Sequence, residues 1–345
     1  MTNEKITIDD IARDLGISKT TVSRAISGKG RIGKETVRRV QEYIKEHDYH
    51  PSAIAKSLAN SKAYNIAFVM SGDYGNTDLP FFQKCLWGLS NKVSDSEYDV
   101  IICIVSDNDI SRLEQLVENK KIDAAVLGRT IENDTSVDYL KNHGIPFITI
   151  GSVSDDDVIQ IDNDHEGGCG RLTKYLIESE NFAGKISRGR MAFIGGDSTF
   201  IVNQSRTRGF VSACTSAGLT EAEEGKEDGD YMIFPDATDS VLVKKSVKLA
   251  IEAGAKCIVC GDDIICAEVL YYLDKNGIVI PKEMCVASFY DSDVLANHTP
   301  SITALNIDIE ETGRSAGEMI LDLMEGKSVE SRKLLGTNLI VRKST

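Results

Sequence analysis

Residues 7–27 limit what this chain can fold into more than any other part of the sequence. Thr7 and Asp10 stand in the positions of a capping box, with Asp where Glu is usual, so a helix is predicted to begin after Thr7. The apolar residues that follow have the spacing of one helix face: Ile8, Ile11, Ala12 and Leu15. Gly16 is then expected to end this first helix.

A second short helix is predicted after Ser18, which is placed to cap it. Its apolar face consists of Val22, Ala25 and Ile26. Two short helices joined by a turn that contains glycine form the helix-turn-helix pattern, whose second helix enters the major groove of DNA. The outward residues of this second helix all donate hydrogen bonds: Lys19, Thr20, Thr21, Ser23 and Arg24. That polar face favours DNA binding over the alternative, a helical hairpin within a hydrophobic core.

Charge is divided unevenly along the chain. The whole sequence has a formal net charge of −14, which by itself argues against nucleic-acid binding. Residues 1–62, however, contain 12 basic and 8 acidic residues, whereas the remainder contains 27 basic and 45 acidic residues. A basic head on an acidic body suits contact with DNA through the head alone, because phosphates repel the body.

The segment after the second helix continues the head. Residues 28–34 form a loop rich in glycine and basic residues, which either meets phosphates or is a solvated turn. A third helix is predicted over residues 34–45. Pro51 begins a further helical pattern of about two turns, too short to be stable alone in water. This last segment is either a partly disordered linker or a helix that folds when it docks.

From Tyr64 onward, strand-length apolar runs alternate with helical patterns. Strands are predicted at residues 65–70, 100–105, 124–127, 147–150, 191–194, 257–260 and 286–289, and helices at 80–93, 110–119, 135–142, 166–177, 203–217, 240–253 and 264–276. This alternation predicts parallel sheets covered by helices, and the number of units favours two doubly wound halves. A cleft between such halves, at the carboxyl ends of the strands, is a common site for small molecules.

Several other classes of protein are disfavoured. The eight cysteines are scattered through apolar segments, so we expect buried free thiols, and the single CxxC of Cys257 and Cys260 lacks the second ligand pair of a metal site. Neither a dinucleotide-binding GxGxxG after a strand, nor a phosphate-binding GxxxxGK[ST] loop, nor a GxSxG nucleophile elbow occurs, which argues against an enzyme and predicts no cofactor. The start of the chain has no apolar signal-peptide region, and we expect a cytoplasmic protein without a membrane segment.

Taken together, these segments resemble a full-length member of the lactose-repressor (LacI/GalR) family of bacterial transcription regulators. The head resembles the family's DNA-binding domain almost position for position, and AKSLA follows at the expected distance. The body carries LPFF, IDNDHEGG, RTRGF and GDD in the family's order. The resemblance implies an all-α helix-turn-helix head and an α/β body like a periplasmic binding protein, with two doubly wound parallel-sheet subdomains.

The resemblance also implies a domain organisation. A DNA-binding domain spans residues 1–49, a hinge helix or linker spans 50–61, and an effector-binding and dimerisation domain spans 62–342. Its N-subdomain is expected at about 62–162 and 293–322, and its C-subdomain at about 163–292 and 323–342. No heptad-bearing tail follows, so a homodimer is expected.

By position, Lys19 and Thr20 resemble the residues that select the base sequence, and Arg24 resembles a contact to a guanine edge. Leu58 resembles an apolar wedge that enters the minor groove and kinks the duplex. The resemblance implies contacts with a pseudo-palindromic double-stranded DNA operator from Thr7, Ser18, Lys19, Thr20, Thr21, Ser23, Arg24, Lys29, Tyr49, Ser52, Ala55, Lys56 and Leu58.

The contacts with a small-molecule effector also follow by position: Phe81, Phe82, Arg129, Arg206, Tyr231, Asp262, Tyr290 and Asp291. Core packing is the alternative for Phe81 and Phe82. Tyr290 stands where many members have an effector-binding aspartate, so either Asp291 takes over that role or the ligand differs. A sugar is the family's most common effector, while a nucleobase or a sugar phosphate remains open.

The function predicted is therefore that of a sequence-specific DNA-binding regulator, a repressor, whose operator binding a small molecule controls allosterically. The alternative is a solute-binding sensor of the same body fold that acts without sequence-specific DNA binding. Whether the effector induces or corepresses is open at this point.

Overall fold

The structure is a computed structural model that describes residues 6–27, 31–47, 49, 57, 60–72, 79–106, 109–128, 130–131, 133–179, 190–222 and 229–345. It divides into two compact units, Met1–Ala63 and Tyr64–Thr345. We call the first unit the head and the second the body. The head contains α1 (Ile8–Leu15), α2 (Lys19–Ser27) and α3 (Lys34–Glu46), which confirms the three predicted helices.

The predicted capping box of the first helix is present. The Asp10 carboxylate accepts a hydrogen bond from the Thr7 N–H at 2.9 Å, and the Thr7 hydroxyl accepts one from the Asp10 N–H at 3.4 Å. Gly16 ends the helix at φ +68°, a left-handed conformation that a residue without a Cβ adopts at little cost. These two ends fix the length of α1 and the turn that leads into α2.

A small apolar core joins the three helices of the head. Its fully enclosed members are Ile11, Ala12, Val22, Ala25 and Val40. On the rim, the Tyr43 hydroxyl donates to the Asp14 carboxylate at 2.6 Å, and the Arg39 guanidinium donates to the Leu15 carbonyl at 3.0 Å. The Tyr43 hydrogen bond holds the pKa of Asp14 below its usual range. These bonds attach α3 to the end of α1 and leave the outer face of α2 uncovered.

The body contains twelve strands and nine helices among its described residues. The strands are β1 (Asn65–Ser71), β2 (Asp99–Val105), β3 (Ala124–Leu127), β4 (Phe147–Ile150), β5 (Gln160–Asn163), β6 (Arg190–Ile194), β7 (Tyr231–Phe234), β8 (Ala255–Cys260), β9 (Cys285–Ser288), β10 (Thr303–Asn306), β11 (Arg332–Leu335) and β12 (Asn338–Ile340). The helices are α4 (Leu79–Ser94), α5 (Ser111–Glu118), α6 (Thr135–Asn142), α7 (His165–Glu178), α8 (Ile201–Ser216), α9 (Ser240–Glu252), α10 (Asp263–Lys275), α11 (Asp293–Ala296) and α12 (Ile309–Met324).

These strands form two six-stranded sheets. The first has the order β11-β5-β4-β3-β1-β2 and is parallel throughout. The second has the order β12-β10-β9-β8-β6-β7 and is parallel except for β12, which runs antiparallel to β10. The two doubly wound halves are therefore confirmed, and all seven predicted strands and seven predicted helices of the body are found within two residues at each end.

The division of the last fifty residues between the halves differs from the expected one. β10 lies in the second sheet, although residues 293–322 were assigned to the N-subdomain, and β11 lies in the first sheet, although residues 323–342 were assigned to the C-subdomain. By contrast, α12 packs on α4 in the first half and β12 lies in the second sheet, as expected. The chain thus crosses between the halves after β5, after β10 and after β11. Strands of three or four residues have too little apolar pattern to show which sheet they join.

The contact between α4 and α12 is unusually close. A Cβ at Gly88 would lie 2.0 Å from the Glu310 carbonyl oxygen, and one at Gly313 would lie 2.0 Å from the Cys85 carbonyl oxygen. Only glycine allows the two backbones to approach in this way. The close contact fixes α4, which carries Phe81 and Phe82, over the first sheet.

All eight cysteines are free and buried, as predicted. Across the described residues, every helix is too short or too polar to cross a lipid bilayer. Within the same residues, no three His, Cys, Asp or Glu side chains are grouped so that they could hold a metal ion.

Candidate nucleic-acid interface and ligand cleft

The outer face of α2 presents hydrogen-bond donors to solvent. Lys19, Thr20, Ser23 and Arg24 are exposed, and within the described part of the chain Arg24 has no ion-pair partner. A guanidinium that is free to move can form the paired hydrogen bonds that a guanine edge accepts. This face has the geometry that a recognition helix requires.

The two capping hydroxyls have a different role. The Ser18 hydroxyl accepts from the Thr21 N–H at 3.0 Å and shares a 2.8 Å hydrogen bond with the Thr21 hydroxyl. Thr7 is engaged in the same way at the start of α1. These three residues therefore hold the helix N-termini in place, and a contact with DNA would have to share their hydroxyls.

Lys19 is bound to Asp9 in an ion pair that joins α2 to α1. Both side chains are more than half exposed, so water and salt weaken this attraction. Lys19 can therefore exchange Asp9 for a phosphate or a base at small cost. The Asp9 carboxylate thus holds the Lys19 ammonium at the start of α2.

Of the remaining predicted DNA contacts, the structure describes only Tyr49. Tyr49 is half-buried against the apolar core of the head, and its N–H donates to the Ile44 carbonyl at 3.0 Å. Five predicted contacts lie outside the described residues: Lys29, Ser52, Ala55, Lys56 and Leu58. The predictions for these five residues stay predictions.

In the body, the carboxyl ends of β8 and β9 and the first turns of α8 bring polar side chains together around Arg206. Arg206 is only 9% exposed. Its Nη1 donates to the Asn203 Oδ1 at 3.2 Å, whereas its buried Nε has no hydrogen-bond partner. No ion pair of Arg206 is found among the described residues, and a buried guanidinium is costly unless a ligand completes its hydrogen bonds. Arg206 is therefore the strongest candidate for a ligand contact.

Two adjacent aspartates follow β8, and they have different roles. The Asp262 carboxylate caps α10 by accepting from the Ile265 N–H at 2.8 Å. Asp263 is half-buried, and burial raises its pKa, while the Ser292 hydroxyl and the charge of Arg206 act in the opposite direction. Asp262 is therefore engaged as the N-cap of α10, and Asp263 becomes a second candidate beside it, while the prediction for Asp262 stays a prediction. A doubled aspartate before a helix is the sequence signal that could have identified Asp263.

The loop after β9 contributes Tyr290, Asp291 and Ser292. Both oxygens of Asp291 accept from the Arg342 guanidinium, at 2.8 and 2.6 Å, so this carboxylate is fully engaged by the protein. The Ser292 hydroxyl is buried near the Asp263 carboxylate, but among the described residues it forms no hydrogen bond of good geometry. The structure therefore gives Asp291 a structural role and leaves Ser292 with an unmet hydrogen bond beside Asp263.

Tyr290 belongs to the second half of the body but packs against the apolar core of the first half. Burial raises the pKa of its phenol, and the charges of Asp263 and Arg206 both reach it. A backbone bridge between Ile131 and Phe200 also joins the two halves close to the start of α8. The residues around Arg206 therefore lie where the two halves meet.

The predicted aromatic contacts divide into two groups. Tyr231 is 3% exposed and packs edge-on against Phe210 at 5.6 Å in the core of the second half, which removes it from the candidate site. Phe82 is likewise buried beneath the first sheet, as the core-packing alternative predicts. Phe81 is half-buried, with its ring edge-on to Phe82 at 5.4 Å, and remains a candidate. Arg129 lies outside the described residues.

The arrangement offers a buried cationic donor, a carboxylate acceptor, a hydroxyl and two aromatic surfaces from Arg206, Asp263, Ser292, Tyr290 and Phe81. Such a set can bind a polar ligand whose groups both donate and accept hydrogen bonds. The site is assembled from four segments that are far apart in the sequence.

Comparison with known proteins agrees with this geometry. Residues 7–52 match the model of bacterial regulatory proteins of the lacI family, and residues 188–345 match the model of a periplasmic binding protein-like domain. The HTH-type transcriptional regulator MalR of Staphylococcus xylosus is 26% identical over 347 residues, which cover 99% of this chain and 98% of MalR.

Two solved structures share the fold over nearly the whole chain. The lac repressor dimer bound to operator and the anti-inducer ONPF matches with a TM-score of 0.78 at 16% identity, covering 99% of each chain. The complex of the transcriptional regulator CelR with cellobiose matches with a TM-score of 0.69 at 23% identity, covering 99% of this chain and 100% of CelR. The chain thus combines a lacI-family head with a periplasmic-binding-protein-like body, resembles LacI-family regulators over its whole length, and is a DNA-binding transcriptional regulator rather than an enzyme.

Proposed function

We propose that this regulator acts as a cytoplasmic homodimer that represses transcription from a pseudo-palindromic operator, and that a sugar bound in the cleft controls its affinity for DNA. The observation that best supports control by an effector is the burial of Arg206. Its Nε lacks a hydrogen-bond partner among the described residues, at the place where the two halves of the body meet. Unmet hydrogen bonds on a buried charge support a ligand site better than a structural role.

The DNA half of the proposal is supported by the exposed donors of α2. Lys19, Thr20 and Arg24 would read base edges, and a second head would read the other half-site one helical turn away. The lac repressor structure contains a dimer on its operator, which is the assembly that we extend to this chain.

The choice of a sugar comes from the relatives and from the site chemistry. MalR is named as a maltose-operon regulator in one structural relative, and CelR was solved with cellobiose. Sugars present hydroxyls to a guanidinium and a carboxylate and an apolar ring face to aromatic side chains. Phe81 and Tyr290 supply such aromatic surfaces.

Control would arise from two states of the body that bind the sugar with different affinities. A ligand can shift such an equilibrium only by its differential affinity, and coupling free energies are typically about 1–3 kcal/mol. We propose that the shift changes the spacing of the two 50–61 segments of the dimer and so their fit to the operator centre.

The test begins with selection of bound duplexes from a random DNA pool, followed by titration of the selected operator with and without maltose, cellobiose and glucose. Enrichment of an inverted repeat whose affinity changes with one sugar is the expected result. A chain that enriches no inverted repeat would instead fit the alternative, a solute-binding sensor without sequence-specific DNA binding. An operator that is bound with equal affinity in every sugar would refute the sugar-controlled half.

A further inference from the structure

We propose that Asn203 is a positioning residue of the cleft: its amide holds one side of the Arg206 guanidinium and leaves the opposite edge free for the effector. The inference rests on the proposed function, because it concerns the same ligand site. It goes beyond that function by naming a residue that acts on the effector through Arg206.

The amide of Asn203 lies between a donor and an acceptor. The Arg206 Nη1 donates to its Oδ1 at 3.2 Å, and its own Nδ2 donates to the Asp197 carbonyl at 2.9 Å. A guanidinium only donates and a carbonyl only accepts, so a single orientation of the amide satisfies both neighbours. Asn203 therefore links Arg206 in a fixed direction to the segment that follows β6.

The backbone around this amide leaves it little room to move. A Cβ at Gly196 would lie 2.9 Å from the Asn203 Nδ2, which is closer than neighbouring atoms normally come. At the start of α8, the Asn203 N–H donates to the Phe200 carbonyl at 3.0 Å. The segment itself is fixed by Asp236, whose carboxylate accepts from the Ser198 N–H at 2.8 Å. The amide is therefore held in place by the surrounding backbone and can orient a side chain that it contacts.

The bond to Asn203 determines which edge of Arg206 is available. It engages Nη1, whereas Nε is buried and has no partner, and Nη2 donates to no atom among the described residues. Nε and Nη2 lie on the same edge of a guanidinium, and such an edge can donate two parallel hydrogen bonds. Two adjacent oxygens, such as those of a vicinal diol, fit this edge. Without Asn203 the guanidinium could turn, and the edge would lose its fixed direction.

The first test needs no ligand. The full chain is labelled with isotopic arginine, and the Nε–Hε signal of Arg206 in nuclear magnetic resonance spectra is identified by its loss in Arg206→Lys. Asn203→Ala should speed the exchange of this proton with water by at least about tenfold, because a guanidinium released from its partner reaches solvent more often. Gln204→Ala is the matched control and should leave the exchange unchanged. The Gln204 Nε2 donates to the Ser198 carbonyl at 3.0 Å in the same segment but shares no hydrogen bond with Arg206.

The second test measures binding of maltose, cellobiose and glucose by calorimetry. Asn203→Ala should weaken the binding of whichever of these sugars the wild type binds by about tenfold, and Gln204→Ala should bind it as the wild type does. Gly196→Ala should weaken it as well, because the new Cβ displaces the Asn203 amide. The double variant should bind no more weakly than Asn203→Ala alone, since both changes act through one hydrogen bond to Arg206. A residue that only stabilised the fold would show additive losses.

Two results would overturn the inference. One is an Arg206 Hε that exchanges in Asn203→Ala at the rate of the wild type. The other is an equal loss of sugar binding in Asn203→Ala and Gln204→Ala, which would make the amide only a tether of the segment. If Asn203→Ala fails to fold, Gly196→Ala displaces the same amide, and both measurements decide with it. Failure of all three sugars to bind the wild type would count against the proposed sugar control, and the exchange of the Arg206 proton would then decide this inference.

Discussion

The candidate DNA-binding face and the candidate ligand cleft differ in how far their polar groups are exposed to water. On the head, the donors of α2 are exposed to water and lie on one short helix. In the body, Arg206, Asp263 and Ser292 are withdrawn from water, and two of their polar atoms lack partners. An exposed group loses little when its ligand is absent, whereas a buried group is costly until its ligand arrives. The candidate DNA-binding face is therefore stable without a ligand, whereas the candidate cleft is stabilised when a ligand completes its hydrogen bonds.

This comparison predicts that single substitutions will cost most where charges are buried. Replacing Arg342 by Ala leaves the buried Asp291 carboxylate unpaired, and we expect a loss of about 3–5 kcal/mol in the unfolding free energy of the body. Urea denaturation followed by circular dichroism measures it. Arg314→Ala, which breaks only exposed pairs with Glu310 and Glu311, is the control and should change stability little. Equal losses in the two variants would show that burial does not distinguish these pairs.

The next largest effect is expected at the ligand contact. Arg206→Ala should weaken effector binding by about 1.5–3 kcal/mol, the range for hydrogen bonds to a charged group, while operator affinity without effector stays unchanged. Arg208→Ala is the matched control, since Arg208 lies on the same helix but is exposed and paired with Glu166 at 2.9 Å. Calorimetry with the sugar identified in the titration measures the first quantity. An Arg206→Ala variant with the effector affinity of the wild type would remove Arg206 from the site.

A somewhat smaller effect, confined to DNA, is expected on the head. Arg24→Ala should cost about 1–3 kcal/mol in operator affinity and relax the base preference at one position of each half-site. Arg38→Ala removes the same charge from α3, where Arg38 is engaged by Glu35 and Glu42, and should leave the base preference unchanged. Fluorescence anisotropy on operators with single substitutions separates the two outcomes. Loss of affinity that is uniform over all sequences would make Arg24 a phosphate contact instead.

The smallest effect is expected at a helix end. Thr7→Ala removes the capping hydrogen bonds at the start of α1 and should destabilise the head by about 1 kcal/mol. Amide hydrogen exchange over α1 measures this locally, and Thr7→Ser should retain most of the protection. Faster exchange throughout the body would contradict the separation of the molecule into two compact units.

The local sequence was sufficient for the elements with a strong repeating pattern. The three helices of the head and seven apolar strands of the body follow from spacing and apolar runs, because a helix or a buried strand needs apolar residues at fixed positions. The strands that were missed are β5, β7, β10, β11 and β12. The sequences QIDN, RKLL and NLI are short and show too little apolar pattern to be recognised as strands, although all four residues of β5 are buried.

The sequence by itself therefore determined the head, the outward face of α2, the doubly wound halves and the family that the chain resembles. The tertiary structure alone decided that Arg206 is buried with an unpartnered Nε, that Arg342 engages Asp291, and that Tyr231 lies in the core. The physical reason is the range of the interactions. Helix capping and amphipathic spacing act within a few residues, whereas the partner of a buried charge is set by whichever side chain the fold brings next to it.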